Sequence, residues 1–492
     1  MSDEYYLTEI NFGEICFGEI YFGKIEEGFA MEKFIGRERE LAVLQKKYNR
    51  DGFGMAIVYG RRRIGKTMLI NQFIDSQNCK SIRFTSVEQN EKALLSMMKD
   101  VVLEAIAPEM AHMVDFPDFD KLFDFIGRCS TEERIVFFID EYPYLVNQCP
   151  YIQSLLQKHI DTDWKKSNLF FIICGSLVGF MKDEVLAESA PLYGRSDLEL
   201  HLHPFRYDET ALFLEGYSNE EKAIVYGLTG GVAKYVRQFN PNRTLDENII
   251  ENFYSFGGYF SEELIQTVIT NDRKNPALYN SIIDAVASGH TKYNEIASYC
   301  GVADVDYQLK ILTKAEILEK RVAKKPYYVL NDSMLEFWFR YVNRATSMIQ
   351  SGSGEKYYYT LVKSKLHEFM GKVFEKMAKE YLIMKAGSIG IPLITEITDY
   401  QTTVLDGDGK QNQIEIDLLG KRNNDIVLIG VCKFRNEIFD KKEFDDFMQK
   451  IRFFNNSSPM ICMFSLSGFS EYVKENSKGI SLIDIDRMYE KA

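Results

Sequence analysis

Residues 57–67 read IVYGRRRIGKT, and they constrain this chain more than any other stretch. An apolar run reaches Gly60, and Gly65, Lys66 and Thr67 follow at the spacing G-x-x-x-x-G-K-[ST]. The run before the motif is strand-like and the residues after it, MLINQFI, are helix-like, which is the context the motif requires. Glycines let the main chain wrap a phosphate chain with its N–H groups turned inward, and the helix N-terminus adds partial positive charge. The expected phosphate-binding residues are therefore Gly60, Arg61, Arg62, Arg63, Ile64, Gly65, Lys66, Thr67 and Met68. Lys66 should reach the β- and γ-phosphates of a nucleoside triphosphate in a catalytic role, and Thr67 should ligate Mg²⁺.

A chain of 492 residues exceeds one hydrophobic core, so roughly two to four domains are expected. The formal net charge of −13 argues against non-specific coating of nucleic acid, although a local basic patch is compatible with it. Eight cysteines without a C-x-x-C pair suit free thiols in a reducing compartment. No apolar run approaches the roughly 20 residues of a membrane span. With no secretory signal visible either, the expected location is the cytoplasm and no membrane partner is expected.

Residues 1–30 carry a five-residue repeat, EINFG, EICFG, EIYFG, that matches neither strand nor helix periodicity. They read as a disordered extension, with Met31 as the expected native start. Continuously apolar runs at 134–141 and 169–176, a strand-like run at 80–85 and intervening amphipathic helices indicate a parallel sheet covered on both faces. The fold class is α/β, with an ATPase core over 31–204 and a helical lid over 205–269. Three short helices at 276–287, 292–300 and 305–315, then a hairpin at 317–330, make a winged helix-turn-helix over 270–345. A Ser/Gly-rich stretch within 346–362 reads as a flexible linker. A separate α/β domain over 363–492 carries strands near 414–419, 426–431 and 460–464.

Ligands of open α/β sheets sit at the carboxyl ends of the strands, so residues ending the apolar runs should converge on Gly60. Asp140 is expected to hold Mg²⁺ and Glu141 to polarise the attacking water. Ser176 is a candidate sensor of the γ-phosphate. Arg195, in PLYGR, is the candidate arginine finger; the alternative is a structural salt bridge to an acid such as Asp197 or Glu199.

IGRERELAVL, YGRRRIGKT, FFIDEYPYL, ICGSLVGFM, PLYGR and LTGGVAKY, in this order, resemble the archaeal-type ATPase family, in the signal-transducing (STAND) branch of AAA+-like P-loop proteins. The resemblance covers about residues 34–345. It implies that Ile35, Gly36 and Arg37 help form the adenine pocket and that Gly230 and Gly231 begin a lid element. Ala233 stands where related proteins often carry proline. It also implies a slow, nucleotide-gated switch.

On the winged helix, Lys310 and Lys314 share the recognition helix with Asp304 and Asp306, and the wing carries Lys320, Arg321, Lys324 and Lys325 around Tyr327 and Tyr328. Either this module touches DNA phosphates or it packs on the ATPase as a relay. The last domain resembles the PD-(D/E)XK nuclease fold, through Glu375 on a helix, Asp417 on a strand and Lys433 on the next. Val431 stands where that family has an acid; Glu415 shares a strand face with Asp417 and is the candidate substitute. The expectation is a degenerate nuclease module, with weak metal-dependent cleavage as the alternative. His201 and His203 alternate on one strand face without an evident third ligand and read as a structural pair.

The function expected is that of a slow Mg²⁺-dependent ATPase acting as a switch. The alternatives are an ATP-regulated DNA nuclease and an adaptor that binds ATP without hydrolysing it; a homo-oligomer or protein partner is compatible with all three.

Overall fold

The computed structural model describes residues 34–111, 113–261, 275–322, 326–386, 390, 392–405, 411–423, 425–454 and 458–490. The repeat at 1–30, Met31, Lys324 and Lys325 lie outside the described residues. The chain divides into two compact units, residues 1–35 and 36–492.

The first part of the larger unit alternates strands and helices: α1 (Glu38–Tyr48), β1 (Gly54–Tyr59), α2 (Lys66–Asp75), β2 (Lys80–Thr85), α3 (Glu91–Ile106), α4 (Phe119–Glu132), β3 (Ile135–Asp140), α5 (Tyr142–Gln148), α6 (Ile152–Asp161), β4 (Leu169–Gly175) and β5 (Leu198–His201). The strands form one parallel sheet in the order β2-β3-β4-β1-β5. β3 and β4 are buried along their whole length, as their unbroken apolar sequences require. Alternation sends Ile57, Phe137 and Phe171 to one face, where they pack with Leu94, Leu122 and Leu156 from α3, α4 and α6. Phe170 points to the other face and meets Tyr48 of α1 and Phe73 of α2. β1 therefore lies between β4 and β5, so every loop leaving the carboxyl ends of β1, β3 and β4 opens on the same edge.

Helical segments follow, with α7 (Asn219–Thr229) the longest described between 205 and 261. The next segment holds α8 (Pro276–Ala287), α9 (Tyr293–Tyr299), α10 (Asp306–Lys314) and a hairpin of β6 (Leu318–Val322) and β7 (Pro326–Leu330), then α11 (Ser333–Phe337). Asp332 caps α11, accepting from the main-chain N–H of Met334 and Leu335 at 2.9 and 3.3 Å.

The Ser/Gly-rich stretch is not a flexible linker. Gly354 is buried, and a Cβ there would lie 1.9 Å from the Tyr254 carbonyl oxygen. The small residues serve a close main-chain approach between packed helices.

The last part holds α12 (Leu366–Lys385), β8 (Glu396–Leu405), β9 (Gln411–Arg422), β10 (Asp425–Lys433), α13 (Lys441–Ile451), β11 (Met460–Ser465) and β12 (Ile480–Asp484). Its sheet runs β12-β11-β10-β9-β8, antiparallel from β8 to β10 and parallel from β10 to β12. α12 covers one face, through Phe374 on Phe434 and Tyr381 on Phe464. Phe444 and Phe447 of α13 pack on the other with Ile416, Ile429 and Val431. α12 also joins this part to α7: Glu380 accepts from the Tyr226 hydroxyl at 2.7 Å and the Tyr207 N–H at 3.2 Å.

Candidate functional site

At Gly60, φ is 152°, and a Cβ would lie 2.2 Å from the Leu202 carbonyl oxygen, so only glycine lets the chain turn out of β1 here. The chain re-enters α2 through Gly65, also left-handed at φ 93°. Lys66, buried at the helix start, curls back and donates to the Arg61 carbonyl at 2.9 Å. Thr67 donates its hydroxyl to Asp140 Oδ2 at 2.6 Å, and the other oxygen of Asp140 accepts from the Glu141 N–H at 2.9 Å. Glu141 is left-handed at φ 48°, a conformation that costs energy for a residue with a Cβ and recurs at working sites. Its carboxylate accepts from the Ser176 hydroxyl at 2.7 Å and the Ser176 N–H at 3.3 Å. Lys66, Thr67, Asp140, Glu141 and Ser176 thus converge at the loop. A glycine-lined turn with a lysine, and a hydroxyl paired with a carboxylate, is a hard-oxygen donor set that fits a Mg²⁺-bound polyphosphate.

The three loop arginines leave the loop in three directions. Arg61 pairs with Asp332 at 2.5 Å, Arg62 donates to the Tyr144 hydroxyl at 2.6 Å, and Arg63 donates to the Tyr235 hydroxyl at 3.3 Å. Ile64 and Met68 pack behind the loop, Ile64 fully buried and Met68 half-buried. Arg37 is buried over the Phe205 ring at 4.0 Å and donates to the carbonyls of Ile64 and His203 at 3.3 and 2.6 Å. Its guanidinium clasps the loop to the exit of β5. Gly36 precedes it at φ 72°, and Ile35 lies in the first unit. Gly230 ends α7 in the left-handed conformation, Gly231 accepts from the Phe205 N–H at 2.8 Å, and Ala233 opens a short helix whose Lys234 N–H reaches the Arg63 carbonyl.

Residues 34–239 match the family of ATPase domains predominantly from Archaea. This segment is an archaeal-type ATPase domain. Residues 338–447 match a second family, archaeal and bacterial proteins of unknown function. The chain is 29% identical over 360 residues to an uncharacterized protein of Methanocaldococcus jannaschii, covering 71% of this chain and 77% of that one. An uncharacterized ATP-binding protein of the same organism is 45% identical over 47 residues, 10% of this chain and 80% of that one. Among solved structures, a Walker-type ATPase of Pyrococcus abyssi aligns at a TM-score of 0.49 with 18% identity, covering 63% of this chain and 97% of that one. The ORC2 protein of Aeropyrum pernix aligns at 0.42 with 13% identity, covering 66% and 97%. The chain therefore carries an ATP-binding ATPase domain.

Arg195 does not join the ATPase site. It precedes β5, and Asp197 beside it bonds the main chain of Met55 at the start of β1, the opposite end of the sheet from Gly60. Its guanidinium grips Asp161 bidentately at 3.1 and 2.7 Å and also donates to the Pro191 and Tyr193 carbonyls. This is the structural salt bridge, made to Asp161 rather than Asp197 or Glu199.

In the last part, between the pairs Thr398–Leu419 and Tyr400–Ile416, β9 places two residues, Leu418 and Asp417, against the single Asp399 of β8. This bulge re-aims Asp417, which accepts from the Cys432 N–H at 2.7 Å. Burial pushes the Glu375 carboxyl up to about 7, and the nearby Asp417 charge pushes the same way. Burial also raises Asp417, against the Cys432 N–H and the Lys433 charge. Glu415 is exposed and held by Gln401 at 2.7 Å. Val431 lies among apolar core side chains on the other face, so no acid stands at its position.

Of the described basic residues expected to meet DNA, Lys310, Lys314 and Arg321 are engaged within the chain, and Lys320 is exposed. Lys314 pairs with Asp183 at 2.5 Å, Lys310 with Asp306 at 2.6 Å, and Arg321 with Glu319 and Asp399 at 3.1 and 3.3 Å. Asp332, Tyr144 and Tyr235, which receive the loop arginines, are not among the residues expected from sequence. Asp332 carries a local signal there, since an acid just before a helix is an N-cap, and Tyr144 and Tyr235 lie within the motifs FFIDEYPYL and LTGGVAKY.

Proposed function

We propose that this protein is a slow, Mg²⁺-dependent ATPase that works as a nucleotide-controlled switch. The observation that carries the reading is the wiring of the phosphate loop, whose arginines bond three different elements beyond it. Lys66 and the loop N–H groups would hold the phosphates. Thr67 and Asp140 would hold Mg²⁺, which supplies charge neutralisation at the phosphoryl oxygens when bound. Glu141 orients the attacking water and takes its proton, with Ser176 fixing the carboxylate that does so. Slow turnover of the single chain is the expectation that goes with Arg195 lying away from its own phosphate loop, since a finger contributes about 10³–10⁵ in rate. Arg61 would pass the occupancy of the loop to Asp332 and α11, and α7 would pass it to α12. A Lys66→Ala chain should lose ATP binding, and Glu141→Gln should bind ATP without turning it over; turnover unchanged by Glu141→Gln would sink the reading.

The segment at 276–330 then serves as a winged-helix relay docked on the ATPase, a reading supported by the Lys314–Asp183 and Lys182–Glu316 pairs. For the last domain we favour a degenerate PD-(D/E)XK module, because Glu375 and Asp417 face one another without a third acid at Val431. Incubation with supercoiled DNA and Mg²⁺ or Mn²⁺ tests it. Cleavage that disappears in Asp417→Ala would establish the nuclease alternative instead.

A further inference from the structure

His201 and His203 project from the end of β5, and the structure brings a third group to them: Glu316, from the turn between α10 and β6. One ligand atom from each of the three lies within 4.8 Å of the others. His201 Nε2 stands 3.3 Å from Glu316 Oε2. Ligands at about 2.0–2.1 Å in a tetrahedral shell are separated from one another by about 3.3 Å, so this edge already has the span an ion requires. His201 Nε2 is buried, and the Glu316 carboxylate is the one polar partner it meets among the described residues. His203 is exposed, leaving a route in, and its ring packs on that of His201 with centroids 4.0 Å apart.

The surroundings orient the three groups. Lys182 Nζ bonds Glu316 Oε1 at 2.6 Å, turning the other oxygen toward the histidines, and a hydrogen-bonded ligand carboxylate is what built metal sites show. Tyr59 stacks on the His201 ring at 4.5 Å with planes 5° apart, fixing the imidazole. Glu316 is held left-handed at φ 60°, an unusual state for glutamate. We propose that His201, His203 and Glu316 form a binding site for a borderline divalent cation of the Zn²⁺ class, with water in the fourth position. Two imidazoles and one carboxylate select such an ion over Mg²⁺ or Ca²⁺, which favour all-oxygen shells. Because Glu316 belongs to the segment after the lid and Tyr59 immediately precedes Gly60, the ion fastens that segment to the ATPase sheet beside the phosphate loop.

The test uses the full chain, stripped with chelator and titrated with Zn²⁺ alone, alongside Co²⁺ as a spectroscopic probe. Wild type should retain one Zn²⁺ that His203→Gln does not, with binding at least tenfold weaker in the variant. Co²⁺ should give the visible absorption of a tetrahedral N,O site, lost in His203→Gln and Glu316→Gln but kept in Asp417→Asn, which tests the other acidic pair. Circular dichroism of each variant reports folding. Equal Zn²⁺ retention by folded wild type and His203→Gln, or retention lost only in Asp417→Asn, would overturn the assignment.

Discussion

The pair between Arg61 and Asp332 offers the most direct test of the switch. Asp332 is 3% exposed and uses its two oxygens separately: Oδ1 caps α11, and Oδ2 receives Arg61 at 2.5 Å. Asp332→Asn keeps the capping oxygen and removes the charge, so it isolates the pair from the cap, which by itself contributes about 1 kcal/mol. A hydrogen bond to a charged group is worth about 1.5–3 kcal/mol. With the Arg61 side chain 22% exposed, the lower half applies, and a coupling energy of about 2 kcal/mol is expected from a cycle of Arg61→Met, Asp332→Asn and the double variant. Trp338 follows α11 directly, is buried, and donates to the Phe260 carbonyl at 2.8 Å, so its fluorescence reports the loss of this region. The chain has two tryptophans, and Trp164→Phe leaves Trp338 as the single reporter. Urea titrations of the four chains, with and without Mg²⁺-ATP, give the coupling in each state. A coupling below about 0.5 kcal/mol refutes the pair as a link. Equal coupling in both states refutes it as the carrier of nucleotide information, because a ligand biases only states it binds differently.

Removing the Ser176 hydroxyl in Ser176→Ala should lower turnover about tenfold with ATP binding retained, whereas Glu141→Gln should lower it by about 10²–10⁴ in a phosphate-release assay. Arg195→Ala should leave turnover of the isolated chain unchanged and cost under about 1 kcal/mol in thermal unfolding, as a partly exposed ion pair does. Glu375, ordinarily near 4.5, is raised to about 7 in the folded chain, so the folded state holds a proton the unfolded state has lost between those values. Stability of the last domain should therefore fall by about 3 kcal/mol as pH rises from about 4.5 to 7. Glu375→Gln should flatten that slope in a pH series of denaturation curves, and an unchanged slope would exclude Glu375 as its source.

The ATPase sheet is legible in the sequence because its strands are apolar throughout and each ends in a residue of different chemistry. The run at 80–85 coincides with β2, and the runs at 134–141 and 169–176 contain β3 and β4, which stop one residue short at Asp140 and Gly175. The site residues follow from those endings, since parallel strands deliver their carboxyl ends to one edge. β8, β12 and α4 are not among the expected elements. β8 is polar along EITDYQTTVL and β12 has five residues, so neither carries a strong period, while α4 has an amphipathic pattern that the expectations omit. What sequence does not supply is partnership over distance. Arg61 and Asp332 are 271 residues apart, and nothing local to either predicts the other. The same holds for Glu316, which turns two histidines without a partner into a three-ligand cluster. Composition misleads at Gly354, where glycine reflects crowding rather than freedom.

The hydroxyl of Tyr207, buried at the start of the helical segments after β5, donates to the Met488 carbonyl 281 residues downstream, at 2.9 Å. A ribosome adds about 5–20 residues per second, and domains ordinarily fold as they emerge. Here the ATPase sheet can assemble early, but the helical segments after it wait tens of seconds for the last part of the chain to be made and docked. During that interval the Tyr207 hydroxyl and the Tyr226 hydroxyl lack their partners, and the side of α7 that meets α12 stands uncovered. Completion of the helical segments after the ATPase sheet is thus tied to synthesis of the last part of the chain, and a chain interrupted near residue 400 would leave the Tyr207 hydroxyl without Met488.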